Sequence, residues 1–357
     1  MKTKRLYIAD AAQISIQQPL CEAWMEEPIR YAVPYTRSID PDFRPFFTPL
    51  EARRMGKVLK RALAASMQLV QRADGGVPDA IITGTGLGCT ESTERFLTAL
   101  CEEGEQLLKP THFMQSTHNT ISSLLAIHFK CHGYNVTYAH KGISFDSALF
   151  DAWVQLRMGR IGSALVGGHE EITPSYFTLL RRIGYVGGAT QEVCGETSVA
   201  LLLRSATEET VNEWTRKPLC ELAGTTLLYD PSPERMRQAL DRLLRDAELD
   251  AAAIDGVVTG VNGNPANDGW YASLLPALLP AVPTIRYKHI FGESYAVSGL
   301  GLYAAAHCLD RGFVPAFMYD RTTPPQEHPT PPRNLLIINQ SDGKTASLTL
   351  LRAVGPR

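Results

Sequence analysis

The feature that most constrains this chain is an alternation of strand and helix patterns that runs through it twice. In the first half LYIADAAQISI reads as a strand leading into a loop. Residues 80–82, 135–139, 163–168 (SALVGG) and 198–204 (SVALLLR) read as further strands, several of them continuous apolar runs suited to burial on both faces. Helical patterns fall between them. Thr48-Pro49-Leu50-Glu51 has the form of a capping box, a hydroxyl at the N-cap with a carboxylate three residues on. Pro49 suits the first helical position, where its missing N–H costs nothing. Met55, Val58, Leu59, Leu63 and Met67 then recur at helical spacing, which predicts a helix running on from that cap. Further helices are expected from about Thr90, over residues 116–128 with Gly133 at their end, and over 143–158. In the last of these Ala148, Leu149, Ala152, Trp153 and Leu156 share one face, and Gly159 is a natural stop.

The second half repeats the pattern: a helix over 233–247, a strand over 254–261, helices over 270–279 and 298–309, and a closing strand pair at 335–339 and 347–351. Residues 322–333 hold five prolines and form a loop that cannot sit within a sheet. Strands alternating with helices twice over indicate an α/β protein of two similar halves, divided near residue 215 into 1–215 and 216–357.

Composition excludes several classes. The 35 Lys and Arg nearly balance 37 Asp and Glu, a formal charge of −2, so the basic excess of a nucleic-acid binder is missing. No apolar run approaches the ~18 residues of a membrane span. The N-terminus is basic through Lys2, Lys4 and Arg5, but Asp10 and Gln13 interrupt the apolar run after it, and no signal-peptide core appears. The seven cysteines are odd in number and contain no C-x-x-C, so a disulfide framework or zinc ribbon is not expected and a reducing cytoplasm fits.

Local motifs are weak. Gly84-Thr85-Gly86-Leu87-Gly88 comes after a strand, but it is G-x-G-x-G rather than G-x-G-x-x-G, with no well-placed acid after it. It reads as a tight strand-to-helix turn. His118, His128, Cys131 and His132 match no metal-ligand spacing and read as ordinary helix and cap residues. G-x-S-x-G, H-E-x-x-H and the P-loop signature do not occur. On their own the residues point to a cytoplasmic two-lobed α/β protein that binds a small molecule.

The order of the pieces says more. GTGLG, the stretch from PTHFMQSTHNT through LVGGHEE, Gly195-Glu196-Thr197 before SVALLL, VNGNPAND, KHIFGESYAVSGLG and NQSDGKTASLTLL occur in sequence at fitting separations. Together they resemble the β-ketoacyl synthase family over nearly the whole chain. The resemblance implies a thiolase-like fold, two similar α/β halves in five layers (α-β-α-β-α), with no cofactor and no metal. Family members condense acyl chains on carrier proteins, using a cysteine at a helix N-terminus, where the helix end favours the thiolate. Two histidines stabilise the developing negative charge, and a lysine supports the second of them.

Carried over by position, that machinery is degenerate. Counting back from Gly167-Gly168 through Gly159 without a gap, the nucleophile position falls on Gly142. The first histidine position, five before Pro265, is Gly260. The lysine is retained as Lys288, but the second histidine position is Glu293, and Ser341 stands where a gating phenylalanine is usual. Lys288 and Glu293 read as a structural ion pair. Cys131 and Cys194 lie too far along the chain to replace the nucleophile.

Within the family this pattern resembles a chain-length factor, a subunit inactive alone that pairs with an active ketosynthase and bounds the tunnel of the growing chain. Its usual replacement for the cysteine is glutamine, so Gly142 departs from that pattern too. The resemblance implies an acyl carrier protein and a ketosynthase as partners, with residues 116–140 as the interface, and neither nucleic acid nor membrane. Phe113, Met114, Thr117, Phe145 and Ser341 are candidate tunnel walls. Two alternatives stay open: a divergent acyltransferase or condensing enzyme using Ser144, His140 or Glu293, with His169 a further flanking candidate, and a homodimeric acyl- or carrier-binding scaffold.

Overall fold

A computed structural model describes residues 4–73, 76–105, 108–188, 191–320 and 330–355. Its strands are β1 (Arg5–Ile14), β2 (Tyr35–Thr36), β3 (Ala80–Gly84), β4 (Tyr134–Tyr138), β5 (Ser163–Glu170), β6 (Cys194–Gly195), β7 (Thr197–Ala206), β8 (Cys220–Tyr229), β9 (Gly256–Thr259), β10 (Thr284–Arg286), β11 (Asn334–Ser341) and β12 (Thr345–Arg352). Its helices are α1 (Pro49–Arg53), α2 (Lys57–Arg72), α3 (Thr90–Glu103), α4 (Pro110–Ser116), α5 (Thr120–Phe129), α6 (Ser144–Arg157), α7 (Pro174–Arg182), α8 (Glu208–Asn212), α9 (Pro233–Asp246), α10 (Pro265–Leu278), α11 (Lys288–Phe291) and α12 (Ser298–Arg311).

Ten strands are joined in the order β10-β9-β11-β12-β8-β1-β7-β5-β3-β4, while β2 and β6 pair separately. The ten are two five-stranded sheets that touch at a seam, since β1 meets β8 only through Tyr7 with Glu221 and Ile8 with Cys220. Each sheet has the same plan. The parallel strands β4-β3-β5 are followed by β7, which runs antiparallel to them, and by β1, antiparallel to β7 and so parallel to the first three. The parallel strands β10-β9-β11 are followed by β12, antiparallel to them, and by β8, antiparallel to β12 and so parallel to the first three.

Helices α2 and α5 cover the outer face of the first sheet, α6 and α12 lie between the sheets, and α9 and α10 lie outside the second. Three buried apolar clusters correspond to these interfaces, the central one built on Ala148, Leu149, Ala152 and Leu156 of α6 and the Ala-rich α12. This is the five-layer arrangement that the family resemblance implies. No helix among the described residues is long and apolar enough to cross a membrane. All seven cysteines are free, five of them buried.

Element boundaries differ from expectation in places. The capping box forms, with Thr48 Oγ1 accepting from the Glu51 N–H at 3.3 Å and Glu51 Oε2 accepting from the Thr48 N–H at 2.8 Å. The helix it starts stops at Arg53, and α2 begins anew after Gly56. The helix expected over 116–128 starts later, at Thr120, because residues 117–119 separate it from α4, which ends at Ser116. Lys130, in a left-handed conformation (φ 53°), ends α5 before Gly133 is reached. Gly133 instead packs against Asp79, where a β-carbon would lie 1.9 Å from the carbonyl oxygen. Helix α10 begins at Pro265, earlier than expected, because the Asn264 side chain accepts from the N–H of Ala266 at 3.0 Å. Of the proline-rich stretch, residues 322–329 lie outside the described residues.

Candidate functional site

A cleft of about 370 Å³ opens where the ends of β9 and β11 meet the start of α6. Gly142, Lys288, Glu293 and Ser341 all line it. Gly260 sits directly behind, and a β-carbon there would lie 3.4 Å from Lys288 Cε. The five positions picked out as degenerate or retained are thus neighbours in space, although the chain separates the first from the last by nearly two hundred residues.

Gly142 lies in the short 3-10 turn Lys141–Ile143 that leads into α6. A β-carbon on it would stand 3.3 Å from Ser341 Oγ, so it faces β11 across the cleft. Its carbonyl accepts from Asn339 Nδ2 at 3.0 Å, and the same nitrogen donates to Asp146 at 2.9 Å. Asp146, in the first turn of α6, also accepts from the hydroxyls of Ser298 (2.8 Å) and Ser347 (2.5 Å). Burial pushes its carboxyl pKa up, and these three donors pull it back. A carboxylate in a helix's first turn also suits the helix dipole. The effect is to fasten the start of α6 to α12, β11 and β12.

Glu293 is buried and accepts from Lys288 Nζ at 2.7 Å. Asn262 Nδ2 donates to the same carboxylate oxygen, and the Tyr185 hydroxyl donates to the other at 3.3 Å. Burial and the Glu293 charge hold the Tyr185 hydroxyl well above its usual pKa, so it keeps its proton and remains a donor. The network continues outward: Asn267 donates to Asn262 Oδ1 at 2.9 Å, and Gln340 donates to Asn267 Oδ1 at 2.5 Å. Glu293 is therefore neutralised by Lys288 and hydrogen-bonded on both oxygens, unlike a free base awaiting a proton.

At Gly260 the space is filled from outside. A β-carbon there would meet the Tyr271 hydroxyl, from α10, at 2.6 Å and Asn339 Oδ1 at 3.2 Å. No imidazole fits at this position while Tyr271 remains. Among the described residues lining the cleft there is neither a cysteine nor a histidine.

The other sequence candidates lie elsewhere. Ser144 is buried, its hydroxyl donating to the Lys141 carbonyl at 2.7 Å and accepting from the His140 N–H at 2.8 Å. His140 Nδ1 lies 3.4 Å from Ser147 Oγ rather than near Ser144 Oγ. His169 is buried within β5 beside Ser198 (2.8 Å), and burial lowers its pKa to about 3, so it stays neutral. Cys194 is buried beside Glu293 in backbone pairing, and burial pushes its thiol pKa up. Of the candidate tunnel walls only Ser341 lines the cleft. Phe145 packs in the core against Gly168 and Gly299, because it faces inward from α6. Phe113 and Met114 are exposed on α4, and Thr117 comes just after that helix with its hydroxyl on Thr120, away from the cleft.

The glycine turn has its own explanation. The N–H groups of Gly86 and Leu87 donate to Glu170 at 2.7 and 3.0 Å, and the Thr85 hydroxyl adds a third bond at 3.3 Å. The backbone that could cradle a phosphate is occupied by the protein's own carboxylate. A β-carbon on Gly86 would lie 2.4 Å from Tyr295 Cβ, which accounts for the glycine. Neither Glu170, Tyr271 nor Asn262 stood out in the sequence; the adjacent pair Glu170-Glu171 after a buried strand was the available signal.

That pair has a consequence for pH. Burial raises the pKa of Glu170 to about 8 and that of Glu171 to about 7. A carboxyl with a raised folded-state pKa favours the fold while protonated, and that contribution is lost as pH rises through the folded value. Burial lowers the pKa of His169 to about 3 and of His289 and His307 to about 4, but above the ordinary imidazole value of 6.5 these rings are neutral folded or unfolded. Thermal unfolding midpoints are therefore expected to fall between roughly pH 6.5 and 8. Glu170→Gln, which cannot titrate, is expected to flatten that slope; an unchanged slope would refute the assignment.

Fold and cleft together define a two-halved α/β protein with a polar site at the junction of its halves. Residues 22–226 match the family model described as the beta-ketoacyl synthase N-terminal domain. The match covers more than half of the chain, and the chain belongs to the β-ketoacyl synthase family. A comparison with curated proteins found no match. Among solved structures, the ishigamide ketosynthase/chain length factor aligns with a TM-score of 0.81 at 19% identity, covering 99% of this chain and 100% of that one. A beta-ketoacyl synthase from Burkholderia phymatum STM815 aligns at 0.79 and 16% identity, covering 99% and 100%. A structure of the Xenorhabdus doucetiae ketosynthase ApeO in complex with its chain length factor ApeC aligns at 0.77 and 16%, covering 98% of each chain. At these identities the likeness concerns the fold, which is thiolase-like.

Proposed function

We propose that this chain is a non-catalytic ketosynthase-like subunit, a chain-length factor. It pairs with an active ketosynthase in the cytoplasm and helps shape acyl or polyketide chains carried on an acyl carrier protein. The observation that carries this reading is the cleft itself. At the positions where the family's resemblance calls for a thiol and two imidazoles stand Gly142 and Glu293, which line it, and Gly260 directly behind, and no cysteine or histidine lines it among the described residues. Nucleophilic catalysis on a thioester needs an activated nucleophile with a base in reach, and Ser144 has its hydroxyl engaged with backbone on both sides.

A pairing surface is also available. Strand β4 is the last strand of its sheet, and all its residues are at least partly exposed. An open edge is a template for a second chain. Phe113, Met114 and Ile127, exposed nearby on α4 and α5, supply apolar area for the contact within or beside residues 116–140.

The test is a reconstituted condensation with malonyl-loaded carrier protein, read by mass. The chain alone is expected to give no product and no acyl adduct, and the pair with an intact ketosynthase is expected to give product that the ketosynthase alone does not. Product or adduct from this chain alone would overturn the reading in favour of an active enzyme. A homodimer that leaves condensation unchanged would overturn it in favour of a scaffold.

A further inference from the structure

A second concavity, of about 380 Å³, lies between α6 and α9 with β8 as its floor. Six consecutive residues of β8, 223–228, line it. A strand presenting one face lines a cavity with every second residue. Consecutive residues mean that its edge is open.

The pairing agrees. On one side β8 pairs with β12 from Glu221 to Tyr229, but on the other it meets β1 only through Cys220 and Glu221. Beyond that seam, among the described residues, no backbone partner meets β8 on its second side. Every second residue there directs its N–H and C=O into the slot. Helices on either side wall it in, so the edge is reached along a groove.

The walls are charged. Phe150, Trp153 and Arg157 line up along α6, with the Arg157 guanidinium 5.6 Å from the Trp153 ring centre. Arg235, Arg242 and Asp246 lie along α9. Arg235 is held at one end by the carbonyls of Tyr229 (3.0 Å) and Asp230 (3.2 Å). Three guanidinium groups face one carboxylate. A second copy of the same slot would be repelled, whereas an acidic chain would be drawn in.

We propose that β8 is a docking edge for an extended acidic segment of a partner protein. The segment adds a strand beside β8 through main-chain hydrogen bonds and sets its carboxylates against Arg157, Arg235 and Arg242. Long cationic side chains at an open edge discourage indiscriminate pairing while selecting an acidic strand. The slot lies on the flank of α6 away from Asp151, which faces Tyr134 of β4, so it is separate from the pairing surface proposed above.

The probe is a labelled octapeptide alternating glutamate and valine, tested by fluorescence polarisation on the full chain. Controls replace the glutamates by lysine or the valines by proline, which cannot donate to a ladder. The acidic peptide is expected to bind at least about fivefold tighter than either control, with R242E removing the margin over the lysine control. Amide exchange is expected to slow at alternate residues of 223–228. Binding without alternate protection, equal binding of the proline peptide, indifference to R242E, or no binding would each overturn the proposal.

Discussion

Lys288→Met is expected to lower the unfolding free energy by about 3–5 kcal/mol, the loss typical of stranding one charge of a buried pair. Lys288 and Glu293 are 2.7 Å apart, with side chains only 7% and 4% exposed. Removing the ammonium leaves the carboxylate with the Asn262 amide and the Tyr185 hydroxyl as its donors, neither of them a counter-charge. The double variant Lys288→Met with Glu293→Leu is expected to recover most of the loss, since a buried pair replaced by apolar side chains is often near neutral. Recovery stays incomplete because Tyr185 and Asn262 lose their acceptor. Urea unfolding of the parent and both variants checks all of this. A single variant as stable as the parent would show that the pair does not hold the cleft.

The second large effect concerns the product. Under the proposed function, Gly142→Phe is expected to shift the chains made by the reconstituted pair toward shorter lengths while the pair still forms. The β-carbon at 142 would point at Ser341 Oγ, 3.3 Å away, so a larger side chain has to take its room from the 370 Å³ cleft. Gly142→Ala adds only that β-carbon, which a turn of the Ser341 hydroxyl accommodates, and it is expected to leave the product distribution unchanged. Mass analysis of products from the two variants, with gel filtration to confirm pairing, decides it. Identical distributions from the phenylalanine variant and the parent would show that growing chains do not pass this cleft.

The fold was largely legible because its central strands and helices carry uninterrupted signals. SALVGG and SVALLLR lie in strands buried on both faces, and the apolar face of α6 became the layer between the sheets. Strand β8 escaped notice for the opposite reason. CELAGTTLLY mixes Glu221, Gly224 and two threonines into a half-exposed strand with one open edge, so neither alternation nor a continuous apolar run marks it. The later start of α5 was hidden because Thr117, His118 and Asn119 precede it without the glycine or proline that would announce a break.

The candidate site was legible as a set of positions and illegible as a set of contacts. That Gly142, Lys288, Glu293 and Ser341 share a cleft could be anticipated only through the family resemblance. The partners that define their chemistry, Asn262, Tyr185, Asn339 and Tyr271, arrive from other elements with no spacing rule to connect them. Likewise the glycine stretch reads in the sequence as a tight strand-to-helix turn, and only the fold shows that its N–H groups are taken by Glu170.

The tyrosine standing over Gly260 bears on how the protein can change. A β-carbon at 260 would stand 2.6 Å from the Tyr271 hydroxyl, so a histidine placed there requires Tyr271 to change or move as well. Shrinking Tyr271 first would open a void in the cluster it shares with Leu274 and Ile338. Either order passes through a less stable protein. Packing thus works as a ratchet, keeping the present cleft in place whether or not selection still acts on what it does.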